Sequence, residues 1–196
     1  MSKMVEIFKR IDGYGDDVIN IQKELTSRVA LSPSNGGTGE HEKTTYVTHL
    51  LQDLKPDFIE EVKAPDERAF EGYRPNLLAR WDDDPKDPTV WVLSHSDIVP
   101  PGDLSLWDSD PFKVRVVGDR IIGRGVEDNQ HGFVSSYLGL KAILDAGETL
   151  HHSVGLAVVA DEETGSAFGL HHVLKNRKDL FQKEDLIIVP DGGNED

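Results

Sequence analysis

Side chains that can bind a metal ion follow three short apolar segments of the sequence, directly after each segment ends. The segments and their following side chains are Val90–Leu93 with His95 and Asp97, Val154–Ala160 with Glu162 and Glu163, and Leu186–Val189 with Asp191. Continuous apolar segments of this length are typical of strands buried on both faces of an α/β sheet. Ligands in such sheets bind beyond the carboxyl ends of the strands, so we expect these side chains to meet at one edge.

A fourth carboxylate, Asp128, lies where a predicted hairpin leads into a helix. Several acids at one edge repel one another, and a divalent cation removes that cost. A histidine among the ligands favours Zn, Co or Mn over Ca or Mg. The chain has no cysteine, so thiolate ligands and disulfides are excluded. The sequence therefore predicts a divalent-metal site built from His, Asp and Glu.

The spacing of these residues also suggests separate roles. In His95-x-Asp97 the carboxylate can hold the second ring nitrogen of a ligating histidine. Glu162 and Glu163 are adjacent, so one can bind metal while the other takes a proton from a metal-activated water.

Each residue also has an ordinary structural interpretation. Asp128 can be a helix N-cap, Glu162 and Glu163 can favour a helix dipole, and His95 can be a satisfied core histidine. Their combination at one sheet edge favours the metal site.

The elements that must position these residues follow from apolar periodicity. Helices are predicted around Val18–Leu25 (ending before Ser32-Pro33), Val47–Leu54, Phe133–Leu144 and Ser166–Asn176, further strands at Phe58–Val62 and Asn76–Trp81, and a hairpin at Lys113–Gly123 turning at Gly118-Asp119. The alternation of strands and helices predicts an α/β fold with a largely parallel sheet and helices on both sides, while the hairpin indicates that part of it is antiparallel. The acidic segment Asp82–Pro88 lacks the Gly and Glu of an EF-hand loop, so we interpret it as a solvated turn.

Composition limits the partners. The 196 residues suffice for one domain, and 21 basic against 36 acidic residues give a net charge of −15. This charge argues against nucleic acid or an anionic membrane as the main partner. Neither a secretory signal nor an apolar segment of about 18 residues is visible, so we expect a cytoplasmic protein.

Five ordered motifs then carry a family resemblance: LSHSDIVPPGD, WDSDPF, IIGRGVEDNQHG, ADEETGS and VPDGG. With them the chain resembles the acetylornithine deacetylase, succinyl-diaminopimelate desuccinylase, aminoacylase and glutamate carboxypeptidase family of zinc metallohydrolases. The resemblance extends from about Asp17 to Gly193 and is weakest before residue 75.

The resemblance implies a zinc-exopeptidase-like, three-layer α/β/α sandwich with a mixed, mainly parallel sheet, incomplete at the C-terminus. It implies two divalent metal ions, Zn first and Co or Mn as alternatives, and hydrolysis of an amide or peptide bond in a small N-acyl amino acid or peptide. The implied roles are His95 and Asp191 as ligands of the first metal, Asp97 as the carboxylate that orients His95, Asp128 as the bridge between both metals, Glu163 as a ligand of the second, and Glu162 as the general base.

Members of this family are longer than this chain. Residues 1–196 then correspond to the N-terminal part of the catalytic domain, without the lid domain used for dimer contacts and without the C-terminal part, which supplies one more histidine ligand. The resemblance therefore implies one nearly complete metal site, one incomplete site, little turnover, and a parent homodimer formed through the lid. Two other hypotheses remain: a non-catalytic metal-binding or regulatory domain that retains the fold, and an α/β scaffold without a site.

Overall fold

The computed structural model describes residues 3–82 and 88–191 and contains a five-stranded sheet with a separate two-stranded one. The strands are β1 (Phe58–Pro65), β2 (Tyr73–Trp81), β3 (Thr89–His95), β4 (Arg115–Val117), β5 (Arg120–Ile122), β6 (Ser153–Val159) and β7 (Leu186–Ile188). Every predicted strand and the predicted hairpin are present. Residues 83–87 of the acidic segment lie outside the described part of the chain, so the predicted solvated turn stays a prediction.

The α-helices are α1 (Lys3–Asp12), α2 (Gly15–Ser27), α3 (His41–Asp53), α4 (His131–Asp145) and α5 (Leu170–Asn176). The last four match the predicted helices, although α5 begins at Leu170 and not at Ser166. Ser166 has a φ of 61°, in the left-handed region, so the chain there forms a turn and does not enter the helix. None of the described helices is both long and apolar enough to cross a membrane.

The main sheet is mixed, with the strand order β1-β2-β6-β3-β7. β3 pairs in parallel with β6 and with β7, while β2 pairs antiparallel with β1 and β6. The antiparallel part of this sheet is therefore at β1 and β2. The hairpin β4–β5, which we expected to belong to the sheet, forms the separate two-stranded one.

Apolar side chains cover both faces of the sheet, as an α/β/α sandwich requires. In β6, Leu156 and Val158 pack in a cluster with residues of α2, α3 and α4. The alternate residues Ala157 and Val159 pack on the opposite face in a cluster that includes Val173 of α5. This alternation confirms the predicted three layers.

Strand β7 departs from the prediction. Its apolar sequence predicted burial on both faces, but Leu186, Ile187 and Ile188 are 64%, 52% and 49% exposed. The reason is its position, because β7 is the edge strand of the described sheet and pairs with β3 alone. An apolar segment identifies a strand but does not show how much of it is covered.

Candidate metal centre

The parallel strands β3, β6 and β7 end at the same edge of the sheet. His95 at the end of β3 is in register with Val159 at the end of β6, and Val92 is in register with Ile188 of β7. The sequence after β6 and β7 therefore begins beside His95, as predicted. The His95 Nε2 atom lies 3.8 Å from Asp191 Oδ2, which comes from the segment after β7.

The predicted ligands form two overlapping groups. In each group, the possible ligand atoms all lie within 4.8 Å of one another. One group is His95, Glu162 and Asp191, and the other is His95, Asp128 and Glu163. The structure thus brings together four carboxylates from three separate loops around one imidazole.

The orientation of His95 suits metal binding. Its Nδ1 lies 3.0 Å from the carbonyl oxygen of Asp97 and 3.4 Å from Asp97 Oδ1. A carbonyl oxygen can only accept, so in the neutral ring the proton is on Nδ1. The lone pair of Nε2 then faces the carboxylates, with Asp128 Oδ1 at 3.0 Å. The ring is buried, and its second nitrogen, Nδ1, is held by Asp97, as is usual for metal-ligating histidines.

The buried Asp97 carboxylate has a second function that the sequence did not indicate. Its Oδ1 accepts a hydrogen bond from the backbone N–H of Glu162, and its Oδ2 accepts one from the N–H of Glu163, both at 3.1 Å. Asp97 therefore fixes the backbone of both glutamates relative to His95. The two glutamates lie in a short 3-10 turn, Glu162–Thr164, and not at the start of α5, so their interpretation as helix-dipole residues is wrong.

The position of Asp128 also rules out its ordinary interpretation. It lies in the irregular turn Val126–Gln130, which follows Gly125 with its φ of 84°, and its peptide bond to Asn129 is cis. Helix α4 begins at His131 without a side-chain cap, so Asp128 is not its N-cap. The Asp128 side chain is 53% exposed and faces His95 Nε2.

Sequence reasoning missed Asn129, which connects its own turn to the end of β3 and to the loop after β7. Its Oδ1 accepts the backbone N–H of His95 at 3.2 Å, and its Nδ2 donates to the carbonyl oxygen of Pro190 at 2.9 Å. Gly132 allows this approach, since a Cβ there would lie 2.7 Å from the same Pro190 oxygen. The position of Asn129 directly after Asp128 was the signal that could have identified it.

The electrostatics of the site fit a cation. Burial raises the pKa of Glu162 and of Glu163, neighbouring carboxylates add to the rise, and His95 opposes it. The Oε1 atom of Glu163 is buried and has no hydrogen-bond partner in the structure. A divalent ion would supply the missing partner and offset the carboxylate repulsion. An imidazole with carboxylates is a donor set that suits Zn, Co or Mn.

Comparison with known proteins agrees with this geometry. The family model of peptidase family M20/M25/M40 matches residues 91–196, the segment that carries every candidate ligand. The chain belongs to this family. An uncharacterized metallohydrolase of Methanococcus maripaludis is 40% identical over 185 residues, which are 91% of this M20 chain and 44% of that protein.

Two further relatives extend the comparison. The succinyl-diaminopimelate desuccinylase of Gluconacetobacter diazotrophicus is 34% identical over 122 residues, 62% of this chain and 31% of that enzyme. Human carnosine dipeptidase 1 matches with a TM-score of 0.82 and 23% identity, over 95% of this chain and 41% of that one. At that identity the likeness concerns the fold. The M20 chain thus spans less than half the length of these relatives.

The M20 site should bind metal in a pH-dependent way. Burial disfavours the charged ring, but the hydrogen bond to Asp97 and the charges of Asp97, Asp128 and Asp191 outweigh it and raise the pKa of His95 to about 9. A cation needs the neutral imidazole, so below that pKa it must displace one proton. We expect the apparent zinc affinity to rise about tenfold per pH unit and to level off above the pKa of His95.

Calorimetric zinc titrations between about pH 6 and 8, in two buffers of different ionisation enthalpy, measure both the affinity and the protons released. An affinity that is constant over this range, with no proton released, would show that metal binding does not displace a proton from His95.

Proposed function

We propose that this chain provides the metal-binding part of a dinuclear metal-dependent hydrolase of amide or peptide bonds. The observation that carries the proposal is that the buried His95 and four carboxylates form two overlapping groups, and that the possible ligand atoms within each group lie within 4.8 Å of one another. Membership of the M20 family supports it independently.

The ligands divide between the two ions as follows. His95, Asp128 and Asp191 would hold the first ion, and Asp128 with Glu163 would hold the second. Asp128 would be shared by both ions, because its carboxylate lies 3.0 Å from His95 Nε2 and belongs to the same group as Glu163. The buried, unpartnered Glu163 oxygen supports its place as a ligand. We propose zinc as the metal, with cobalt or manganese as alternatives.

The residues of the chain then perform the proton transfers. When bound, the ions polarise the scissile carbonyl and lower the pKa of water. Glu162 accepts a proton from the attacking water, whose remaining hydroxyl adds to the carbonyl carbon. Glu162 returns that proton to the amine nitrogen as the C–N bond breaks. Burial raises the pKa of Glu162, which makes it a better base near neutral pH, and Asp97 holds its backbone.

We propose a small N-acyl amino acid or a short peptide as the substrate. One relative is named a succinyl-diaminopimelate desuccinylase, and the family to which the chain belongs is a peptidase family. A panel of N-acyl amino acids and dipeptides, assayed with the complete gene product and added Zn, Co or Mn, tests this. Hydrolysis that needs the metal and stops with a chelator supports the proposal, and no hydrolysis of any panel member contradicts it.

The two metal sites of this chain should differ in affinity. Among residues 3–82 and 88–191, the first ion has three proposed protein ligands and the second has two. We therefore expect this chain to retain about one zinc ion per molecule after dialysis, and to bind a second weakly, with little turnover. Elemental analysis followed by zinc titration measures both. Two equally tight sites in this chain would contradict the division of ligands.

A further inference from the structure

We propose that Arg74 is a positioning residue for the site: held by Glu40, its guanidinium fixes Asp161 beneath the turn that presents Glu162 and Glu163. The inference rests on the proposed function for the roles of these two glutamates. Neither Arg74 nor Glu40 contacts the candidate ligands, and both are fully buried.

Arg74 is fixed from one side by a two-pronged ion pair. It lies on β2, its Nε donates to Glu40 Oε2 at 2.7 Å, and its Nη2 pairs with Glu40 Oε1. A bidentate carboxylate leaves the guanidinium one rigid position, because the group is planar. Glu40 immediately precedes α3, so the pair anchors β2 to the start of that helix.

The remaining nitrogen of the same guanidinium points to the loop after β6. Nη1 lies 3.4 Å from Asp161 Oδ1 and 3.3 Å from Ser32 Oγ. A second carboxylate, Asp66, lies 3.9 Å away and pairs mainly with Arg68. Glu40 alone would balance the charge of Arg74, so the contact with Asp161 is additional to charge neutralisation.

Asp161 holds the loop after β6 together through several hydrogen bonds. It has a φ of 62°, in the left-handed region that is uncommon for residues other than glycine. Its Oδ2 accepts the backbone N–H of Phe168 at 3.0 Å, its Oδ1 accepts the hydroxyl of Thr164, and its carbonyl oxygen accepts the N–H of Ser166 at 2.6 Å. A shift of the Asp161 carboxylate would therefore move the turn that follows it.

The loop is thus held from two directions. Asp97 holds the N–H groups of Glu162 and Glu163 from the side of β3. Arg74 holds the preceding residue, Asp161, from the side of β2. Strand β2 contributes a second contact, because Asn76 Oδ1 accepts the N–H of Ala160 at 3.0 Å. A buried charge of this kind is costly, and a role in fixing one geometry accounts for its presence better than stability does.

The test compares Arg74→Lys with a matched control, Arg80→Lys. Arg80 lies on the same strand and also pairs with an aspartate, Asp82, but it is not connected to the loop after β6. A lysine at position 74 cannot keep both the two-pronged pair and the contact with Asp161. Glu40→Gln is the second variant, which decides the question if Arg74→Lys does not fold.

Two readouts are taken on the whole chain. In the metal-free chain, we expect amide hydrogen exchange at Glu162 and Glu163 to accelerate about tenfold or more, without a similar acceleration in α2, in α4 or in α3 beyond its first turn. Zinc affinity should fall about 10–100-fold, as it does when an outer partner of a metal site is lost. Arg80→Lys should change neither quantity.

Equal exchange and affinity in the variants and the control would overturn the inference, as would faster exchange spread evenly over the sheet, which is the signature of a purely structural role. If the unmodified chain binds no divalent ion, the proposed function fails. The exchange rates at Glu162 and Glu163 still decide the positioning role of Arg74 in that case.

Discussion

Glu162→Gln should lower kcat for amide hydrolysis by about 10²–10⁴-fold, the usual contribution of a general base. Gln has nearly the same shape as Glu but cannot accept the proton of the attacking water. The hydrogen bond from the residue 162 backbone to Asp97 is independent of the side chain, so the turn should keep its geometry. The measurement is steady-state kinetics on the complete gene product, with metal content determined on the same samples.

Glu127→Gln is the matched control for this variant. Glu127 is an exposed glutamate one residue before Asp128, and it belongs to neither ligand group. We expect its kcat to stay near that of the unmodified protein. Full activity in Glu162→Gln would show that another group is the base. Loss of metal together with activity would instead identify Glu162 as a ligand, a role its grouping with His95 and Asp191 also allows.

His95→Asn should abolish metal binding at the first site. Loss of an outer partner alone costs about 10–100-fold in affinity, so loss of a ligand should cost more than about 100-fold. The second ion is proposed to bind Asp128 and Glu163, so its weaker binding should change less. Zinc titration of this chain measures the effect, and circular dichroism verifies that the variant is folded.

The control for His95→Asn is His171→Asn, on the exposed surface of α5. It should bind zinc like the unmodified chain. Unchanged zinc affinity in His95→Asn would show that the metal binds elsewhere, whereas absence of any divalent-metal binding by the unmodified chain would favour the scaffold without a site. If metal binding depends on His95 but the complete gene product hydrolyses no substrate with added Zn, Co or Mn, the non-catalytic domain would be favoured.

Much of the site could be predicted because it depends on local rules. Apolar segments mark buried strands, and parallel strands bring the residues after them to one edge. His95, Glu163 and Asp191 were placed together by this reasoning, and the structure brings a ligand atom of Glu163 and one of Asp191 each within 4.8 Å of a ring nitrogen of His95. The mixed character of the sheet was predicted from the hairpin, although its antiparallel strands proved to be β1 and β2.

The supports of the site could not be predicted, because they join residues far apart in the sequence. Arg74 reaches Glu40 across 34 positions and Asp161 across 87. No periodicity or motif relates these residues, and a lone arginine in a strand carries no signal of its partners. The start of α5 was missed for a similar reason, since the Asp161 carboxylate accepts the backbone N–H of Phe168 and holds the segment before Leu170 in a turn.

The most direct test of the metal centre is a crystal structure of this chain grown with zinc, with anomalous scattering measured on both sides of the zinc absorption edge. We expect a strong peak about 2.0–2.2 Å from His95 Nε2 and from oxygens of Asp128 and Asp191, and a weaker peak beside Asp128 and Glu163. A strong peak elsewhere, with His95 Nε2 still hydrogen-bonded to Asp128 and no ion between them, would contradict the account.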